Sequence, residues 1–363
     1  MTTILLVVGI LVLLILVHEL GHFIAAKFFR VRVEEFGIGF PPRGLTFGKW
    51  GGTEYTLNWI PFGGFVRLFG DVGEERHGAG SFVDKSRGVQ AVILAAGVAM
   101  NMAAAWALFA GALYVGTPRL VTSAEPGTQT WLLVAEVVPG SPAAAAGLLP
   151  GDKVADVIAF SGENPAELTP ETVSDFISMR GGEPIEISYV RGDTERTVTA
   201  HSAHAVIPDS AERPAIGVAL VLISDEPLGL ISSLRGAFVS TYNAFRVILG
   251  GLWSIVQNAF AGESPLKHMV GPVGLVGVVG SAAESGAGQV LALAAFISIN
   301  LVVINLLPIP ALDGGRLFVL GIEAFARREA PQLATRILNA LGIAFIVFLM
   351  VAVTWNDIAR LLS

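Results

Sequence analysis

No cysteine occurs in this chain. That excludes a disulfide framework and any thiolate metal site, so a bound metal has to be held by His, Asp or Glu. Histidine is itself scarce, at six in 363 residues. Charge is thin as well: Asp, Glu, Lys and Arg make up 15% of the chain, where a soluble domain carries about a quarter. Basic residues are the minority, and a net charge of −7 does not favour nucleic acid as a partner. Apolar residues fill the space instead, at 53% of the total with a mean hydropathy of +0.66. The composition is that of an integral membrane protein carrying some soluble mass.

Four segments are apolar and long enough to cross a bilayer, about 3–28, 89–115, 290–307 and 337–353, the last with a start that extends back toward 334–336. The first lacks a basic N-terminal region and a small-residue cleavage site, so it reads as a retained span rather than a secretory signal. Lys27, Arg30 and Arg32 follow the first span, Lys85 and Arg87 precede the second, and Arg316, Arg327, Arg328 and Arg336 separate the third from the fourth. That bias predicts cytoplasmic loops at these places, with both termini and the segment 116–227 outside. A fifth candidate, 228–260, is interrupted by Arg235 and Arg246 and reads as one or two amphipathic helices at the membrane surface, within a region extending to 288. Parity agrees. A fifth span would place Asp313 on the opposite side of the membrane from His18 and His22.

Between the first two spans, 31–69 alternates short β-type runs with Gly and Pro turns, which predicts one or two hairpins. Many of its side chains are apolar, among them Phe36, Phe40, Phe47, Trp50, Trp59 and Phe65. Two readings stand: a small cytoplasmic β-subdomain, or a β-loop dipping into the membrane, where open edges have to be covered or line a wet cavity. The stretch 127–222 has soluble character. Strands are expected at 131–138, 154–160, 185–191, 194–200 and 216–221, with Gly192-Asp193 turning one hairpin. Short helices are expected at 140–147 and 170–179, the second capped by Thr169 with Pro170 in its first turn.

The chemistry centres on HELGH, residues 18–22, inside the first apolar run. Ionisable side chains are costly there and require partners. Helix positions i and i+4 share a face, so His18 and His22 are placed to hold one zinc ion, with Glu19 positioned to act on a zinc-activated water. Zinc wants a third protein ligand and an open fourth position for catalysis. Asp313 is the best candidate, directly after the third span, where Pro308 and Pro310 break the helix and Gly314 and Gly315 permit close backbone approach. The other reading of Asp313 is a helix cap. One divalent ion and two carboxylates come near neutrality, which offsets much of the cost of charge in a low-dielectric region. Asn305, at the end of the third span, suits either a substrate carbonyl or a helix–helix hydrogen bond. For Asn101, in Gly97-Val-Ala-Met-Asn101, helix packing is the expectation.

These motifs resemble the site-2 protease family of intramembrane zinc metalloproteases, and most of all its bacterial regulator-of-sigma-E group. The resemblance runs through HELGH, GIGFPP at 37–42, IPFGGFVRLFGD at 60–71, GVAMN at 97–101, GPVG at 271–274 and NLLPIPALDGG at 305–315. It implies a polytopic α-helical membrane protein with four transmembrane helices, a membrane-associated β-loop and one extracytoplasmic PDZ-like α+β domain. It also implies zinc on His18, His22 and Asp313, Glu19 as the acid/base, and Asn305, Pro308 and Pro310 positioning the substrate. The expected partners are single-span membrane proteins, of the anti-sigma-factor type or remnant signal peptides, cut in a bacterial cytoplasmic membrane. Several relatives carry two PDZ domains, whereas this chain has room for one. That domain lacks a clear carboxylate-binding GLGF-type loop, so a size filter stands beside peptide contact as its role. Competing readings are another membrane HExxH class with Glu323 as third ligand, a non-enzymatic PDZ-containing scaffold, and a transporter.

Overall fold

The computed structural model describes residues 2–71, 77–123, 129–192, 194–204, 213–261, 271–328 and 330–362. The chain divides into two compact units, one formed by 1–115 with 228–363 and the other by 116–227. The Asp193 half of the expected Gly192-Asp193 turn lies outside the described residues.

In the first unit, uninterrupted apolar runs form helices because a helix satisfies its own backbone, which hydrocarbon cannot do. Among the described residues four helices contain stretches long and apolar enough to cross a membrane: α1 (Thr2–Phe28), α2 (Arg87–Val115), α7 (Ala287–Leu306) and α9 (Gln332–Leu362). The fourth apolar stretch, Leu333–Ala359, is longer than 337–353 because Thr, Arg and Asn are accommodated in its turns. Two further helices, α5 (Leu230–Phe260) and α6 (Pro272–Glu284), pack against this set. The helix α5 is one continuous element rather than a pair, with Ala237 and Ala244 buried seven residues apart and Phe238, Tyr242 and Trp253 exposed. α1 and α2 approach closely where Gly21 meets Ala96; a Cβ on Gly21 would stand 2.3 Å from the Ala96 carbonyl oxygen.

The GPVG stretch starts α6, and its role is visible in the fold. Asp357, buried near the end of α9, accepts from the backbone N–H of Gly271 at 3.1 Å and of Gly274 at 2.8 Å. A carboxylate thus satisfies two N–H groups that the first turn of a helix leaves without partners. Any side chain at Gly271 would press on Asp357, with its Cβ 2.6 Å from Oδ2. Asp357→Ala is expected to cost about 2 kcal/mol or more, since hydrogen bonds to a charged group are each worth roughly 1.5–3 kcal/mol. The check is a lowered unfolding midpoint in detergent. An unchanged midpoint would remove this role.

Between α1 and α2 lie two long strands, β1 (Val33–Trp50) and β2 (Thr53–Leu68). Each bends on itself, so the pair supplies four paired segments: 43–50 runs along 53–58, which lies beside 35–38, and 33–38 pairs on its other side with 64–68. Glu35 ties them together from a buried position. It accepts from Arg43 at 3.0 Å, Thr56 at 2.8 Å and Arg67 at 3.2 Å, each on a different segment. The segment 64–68 meets α1 at Gly64, where a Cβ would come within 3.4 Å of the Ile15 side chain.

Among the described residues, the second unit is a six-stranded antiparallel sheet with two short helices. Its strands, in spatial order, are β3 (Arg119–Leu120), β8 (Val218–Ser224), β4 (Trp131–Val137), β5 (Lys153–Ala159), β6 (Pro184–Arg191) and β7 (Thr194–His201). β3 is too short to leave a periodicity in the sequence. The helices α3 (Pro142–Ala146) and α4 (Pro170–Ser178) cover a core of Leu132, Val134, Val157, Phe176, Ile177 and Ile185. Thr169 caps α4 reciprocally with Thr172. Asp152 is buried and held bidentately by Arg191, at 2.7 and 2.8 Å, with the Leu149 N–H also donating to it. Burial opposes its charge, but these donors outweigh that and hold its carboxyl below the ordinary range. A groove of about 190 Å³ runs between α4 and the start of β8, walled by Pro170, Ser174, Ile177, Ile216, Gly217 and Val218.

Candidate metal centre

The site is built where α1, α2 and the helix α8 (Asp313–Ala326) meet. His18 and His22 lie one turn apart on α1 and are both buried. Asp313 arrives from 291 residues beyond His22, at the first turn of α8, and its Oδ2 lies 2.9 Å from His18 Nε2 and 3.2 Å from His22 Nε2. The two Nε2 atoms are 3.1 Å apart. Among the described residues this is the one group of three side chains arranged to hold a metal ion.

The backbone that delivers Asp313 explains its glycines. α7 ends at Leu306, and the chain turns tightly through 307–312 with Ala311 at φ 77°. Gly314 sits under that turn, where a Cβ would be 2.3 Å from the Leu307 carbonyl oxygen; at Gly315 a Cβ would be 2.2 Å from that of Ile309. α9 braces the turn from the other side. Asn339 accepts from the Ala311 N–H at 3.3 Å, and Gly342 packs so closely on Pro310 that a Cβ would lie 2.0 Å from its carbonyl oxygen.

α2 supplies the floor. His22 Nδ1 donates to the Ile93 carbonyl at 2.8 Å, which leaves the Nε2 lone pair facing Asp313 and His18. Gly97, one turn on, leaves the space above it open; a Cβ there would stand 2.4 Å from His22 Nε2 and 2.8 Å from His18 Nε2. Asn101 is fully buried beside His18, with 3.4 Å between its amide nitrogen and His18 Nδ1. Its backbone carbonyl accepts from Ser298 on α7. Packing between helices, expected for Asn101, is therefore real, and one partner in it is a metal-capable histidine.

The residues fit zinc. A tetrahedral zinc with bonds of roughly 2.0–2.1 Å has donor atoms roughly 3.3 Å apart, close to the 2.9–3.2 Å separations of this trio. Two neutral imidazoles and one carboxylate are the ligand class such a site uses. The small cradle at Gly97, which a methyl group would fill, agrees with an ion seated there.

Glu19 and the three converging side chains line a common cavity of about 560 Å³, together with Asn101, Asn305 and the β2 segment Gly63–Leu68. Gly64 is close enough that a Cβ would come within 3.1 Å of Glu19 Cγ. Pro310 lies on the wall of a neighbouring cavity instead, and Pro308 lines neither. Glu323 also faces that neighbouring cavity and pairs with Arg87 at 2.8 Å, so the third side chain brought to the histidines is Asp313 and not Glu323. Arg316 and Asp71 form an ion pair between the two cavities. A faint signal lies in the sequence, since Asp71 closes one motif and Arg316 directly follows another. The Ile93 carbonyl, Asn339 and Gly342 left no such trace.

Comparison with known proteins gives the chain relatives among zinc metalloproteases. Residues 6–349 match peptidase family M50. A Clostridium perfringens protein named as a zinc metalloprotease is 35% identical over 350 residues, covering 95% of both chains. Zinc metalloprotease RasP of Geobacillus kaustophilus is 29% identical, covering 96% of this chain and 95% of its own. A solved PDZ domain of an SdrC-like protein from Listeria monocytogenes aligns with 28% of this chain at 22% identity, with a TM-score of 0.21.

Proposed function

Because the chain belongs to peptidase family M50, the site-2 protease family of zinc metalloproteases, we propose that it cuts single-span membrane proteins within or beside their spans. The observation that carries this reading is the trio of His18, His22 and Asp313 donor atoms, 2.9–3.2 Å apart, on apolar helices beside Glu19. Bound there, zinc supplies Lewis acidity, which makes water acidic near pH 7 and polarises the scissile carbonyl. Glu19 takes a proton from the attacking water and hands it to the leaving amine, acting as base and then as acid. Asn305, on the same cavity wall, donates to the substrate carbonyl.

A peptide bond in a helix is shielded by its own hydrogen bonds and has to be extended before attack. The outer β segment Gly64–Leu68 borders Glu19 and offers a strand edge on which an unwound substrate pairs by β-augmentation. Pro308 and Pro310 act through the turn that shapes this wall. Substrates of the anti-sigma-factor or remnant-signal-peptide type fit this geometry. In the orientation that the Lys/Arg bias favours, the centre faces the cytoplasmic side of a bacterial cytoplasmic membrane. The unit 116–227 then lies outside as a PDZ-like domain, and its groove between α4 and β8 supports contact with a peptide or a substrate ectodomain.

The test is cleavage of single-span substrates by detergent-solubilised protein. Cutting near the span, lost with a zinc chelator and restored by zinc, is expected, together with about one zinc per chain. A metal-free protein that still cleaves would overturn the reading, as would a zinc-bound protein that cuts no single-span substrate.

A further inference from the structure

The two histidines are not held alike. The Nδ1–H of His22 has an acceptor, the Ile93 carbonyl. His18 Nδ1 instead meets the side-chain amide of Asn101, with nitrogen facing nitrogen at 3.4 Å. At the same time Asn101 Oδ1 is buried with no hydrogen-bond partner. The second feature is costly, because a buried carbonyl oxygen without a donor loses its full hydration, and the first ties the ring to the tautomer with its proton on Nε2.

One rotation removes both. The oxygen and nitrogen ends of a carboxamide have the same shape, so turning the amide by half a turn exchanges them within the same packing. Oδ1 then faces His18 Nδ1 and accepts from it. The tautomer follows. If the amide nitrogen donated to Nδ1, the proton of a neutral ring would sit on Nε2, the atom that faces Asp313 and His22, and that atom would have no lone pair for a metal. With Oδ1 as acceptor the proton sits on Nδ1, and Nε2 is free.

We infer that Asn101 is a positioning residue for the metal centre: its Oδ1 accepts from His18 Nδ1–H and fixes the tautomer whose Nε2 binds zinc. It is the counterpart, on the same helix, of the Ile93 carbonyl that holds His22. The spacing from Gly97 to Asn101 then has a physical reason, because one turn of α2 presents both an open cradle above the Nε2 atoms and an acceptor beside His18. The inference rests on the zinc reading of the site.

The test compares the full chain with Asn101→Leu, which keeps the branching at Cγ and removes the acceptor, and Asn101→Asp, which keeps an acceptor oxygen. Zinc affinity is read by competition with a chromogenic chelator. Asn101→Leu is expected to bind about 10- to 100-fold more weakly, the usual loss when the partner of a ligating histidine is removed, and Asn101→Asp to stay within a few-fold of the parent. In ¹⁵N spectra of the zinc-loaded parent, His18 Nδ1 is expected to carry the proton. That resonance should shift in Asn101→Leu while the one from His22 stays. Equal zinc affinity in parent and Asn101→Leu, or an Asp variant as weak as the Leu variant, would overturn the inference. So would an unprotonated His18 Nδ1 in the parent, an outcome that needs no variant to fold. Failure of the zinc reading itself is distinct, since the parent would then hold no stoichiometric zinc.

Discussion

Glu19→Gln is expected to abolish cleavage while zinc stays bound. The substitution keeps shape and volume, so the packing of Glu19 against Gly64 is retained. It removes only the ability to take and return a proton. General acid–base catalysis contributes about 10²- to 10⁴-fold, and a residue serving in both directions belongs at the upper end of that range. Glu19 is not one of the three converging donors, so metal content should remain near one zinc per chain. Turnover is measured on a single-span substrate and zinc by elemental analysis of the same preparation. Full activity in the variant would remove Glu19 from the chemistry. Loss of zinc would make it a ligand instead.

Gly315→Ala is expected to disable the centre without touching any of its side chains. By helix propensity alone the change should help, since alanine is favoured over glycine by about 1 kcal/mol. The local geometry predicts the reverse. A Cβ at 315 would stand 2.2 Å from the Ile309 carbonyl oxygen, which is backbone and cannot swing aside. α8 has to move away from the turn, and Asp313 begins that helix. A misplacement of about 1 Å at a reacting centre costs on the order of 100-fold in rate. Gly321→Ala, on the same helix with nothing within 4 Å of its Cβ, is the control and should be neutral or mildly stabilising. Equal behaviour of the two variants in zinc content and turnover would show that the turn does not position Asp313.

Much of the site was legible because its chemistry is local. The HELGH spacing places two imidazoles on one helix face whatever surrounds them. Asp313 was legible for a different reason: zinc needs a third ligand, and few carboxylates sit at a span end beside helix-breaking prolines. The capping of α4 by Thr169 was legible because a cap is a matter of a few consecutive residues, here Thr169 to Thr172. The partners of these groups were not. The Ile93 carbonyl that holds His22 belongs to a residue with no polar side chain. Asp357 reads as an ordinary polar residue at a helix end until it is found 86 residues away from Gly271 in sequence and 3.1 Å from it in space. Glu35 looks like one of two adjacent acidic residues, and only the folding of β1 and β2 back on themselves brings Arg43, Thr56 and Arg67 to it.

The sequence by itself determined which segments are apolar enough to seek a bilayer, which side chains are of a type and spacing that can hold a metal, and where the chain has to break a helix. Each of these depends on residue type and spacing along a few turns. Tertiary structure alone decided which carbonyl, amide and carboxylate stand behind those residues. Such contacts depend on where helices cross, and crossings are set by close approaches such as Gly21 on Ala96 and Gly342 on Pro310, whose partners lie far apart in the chain.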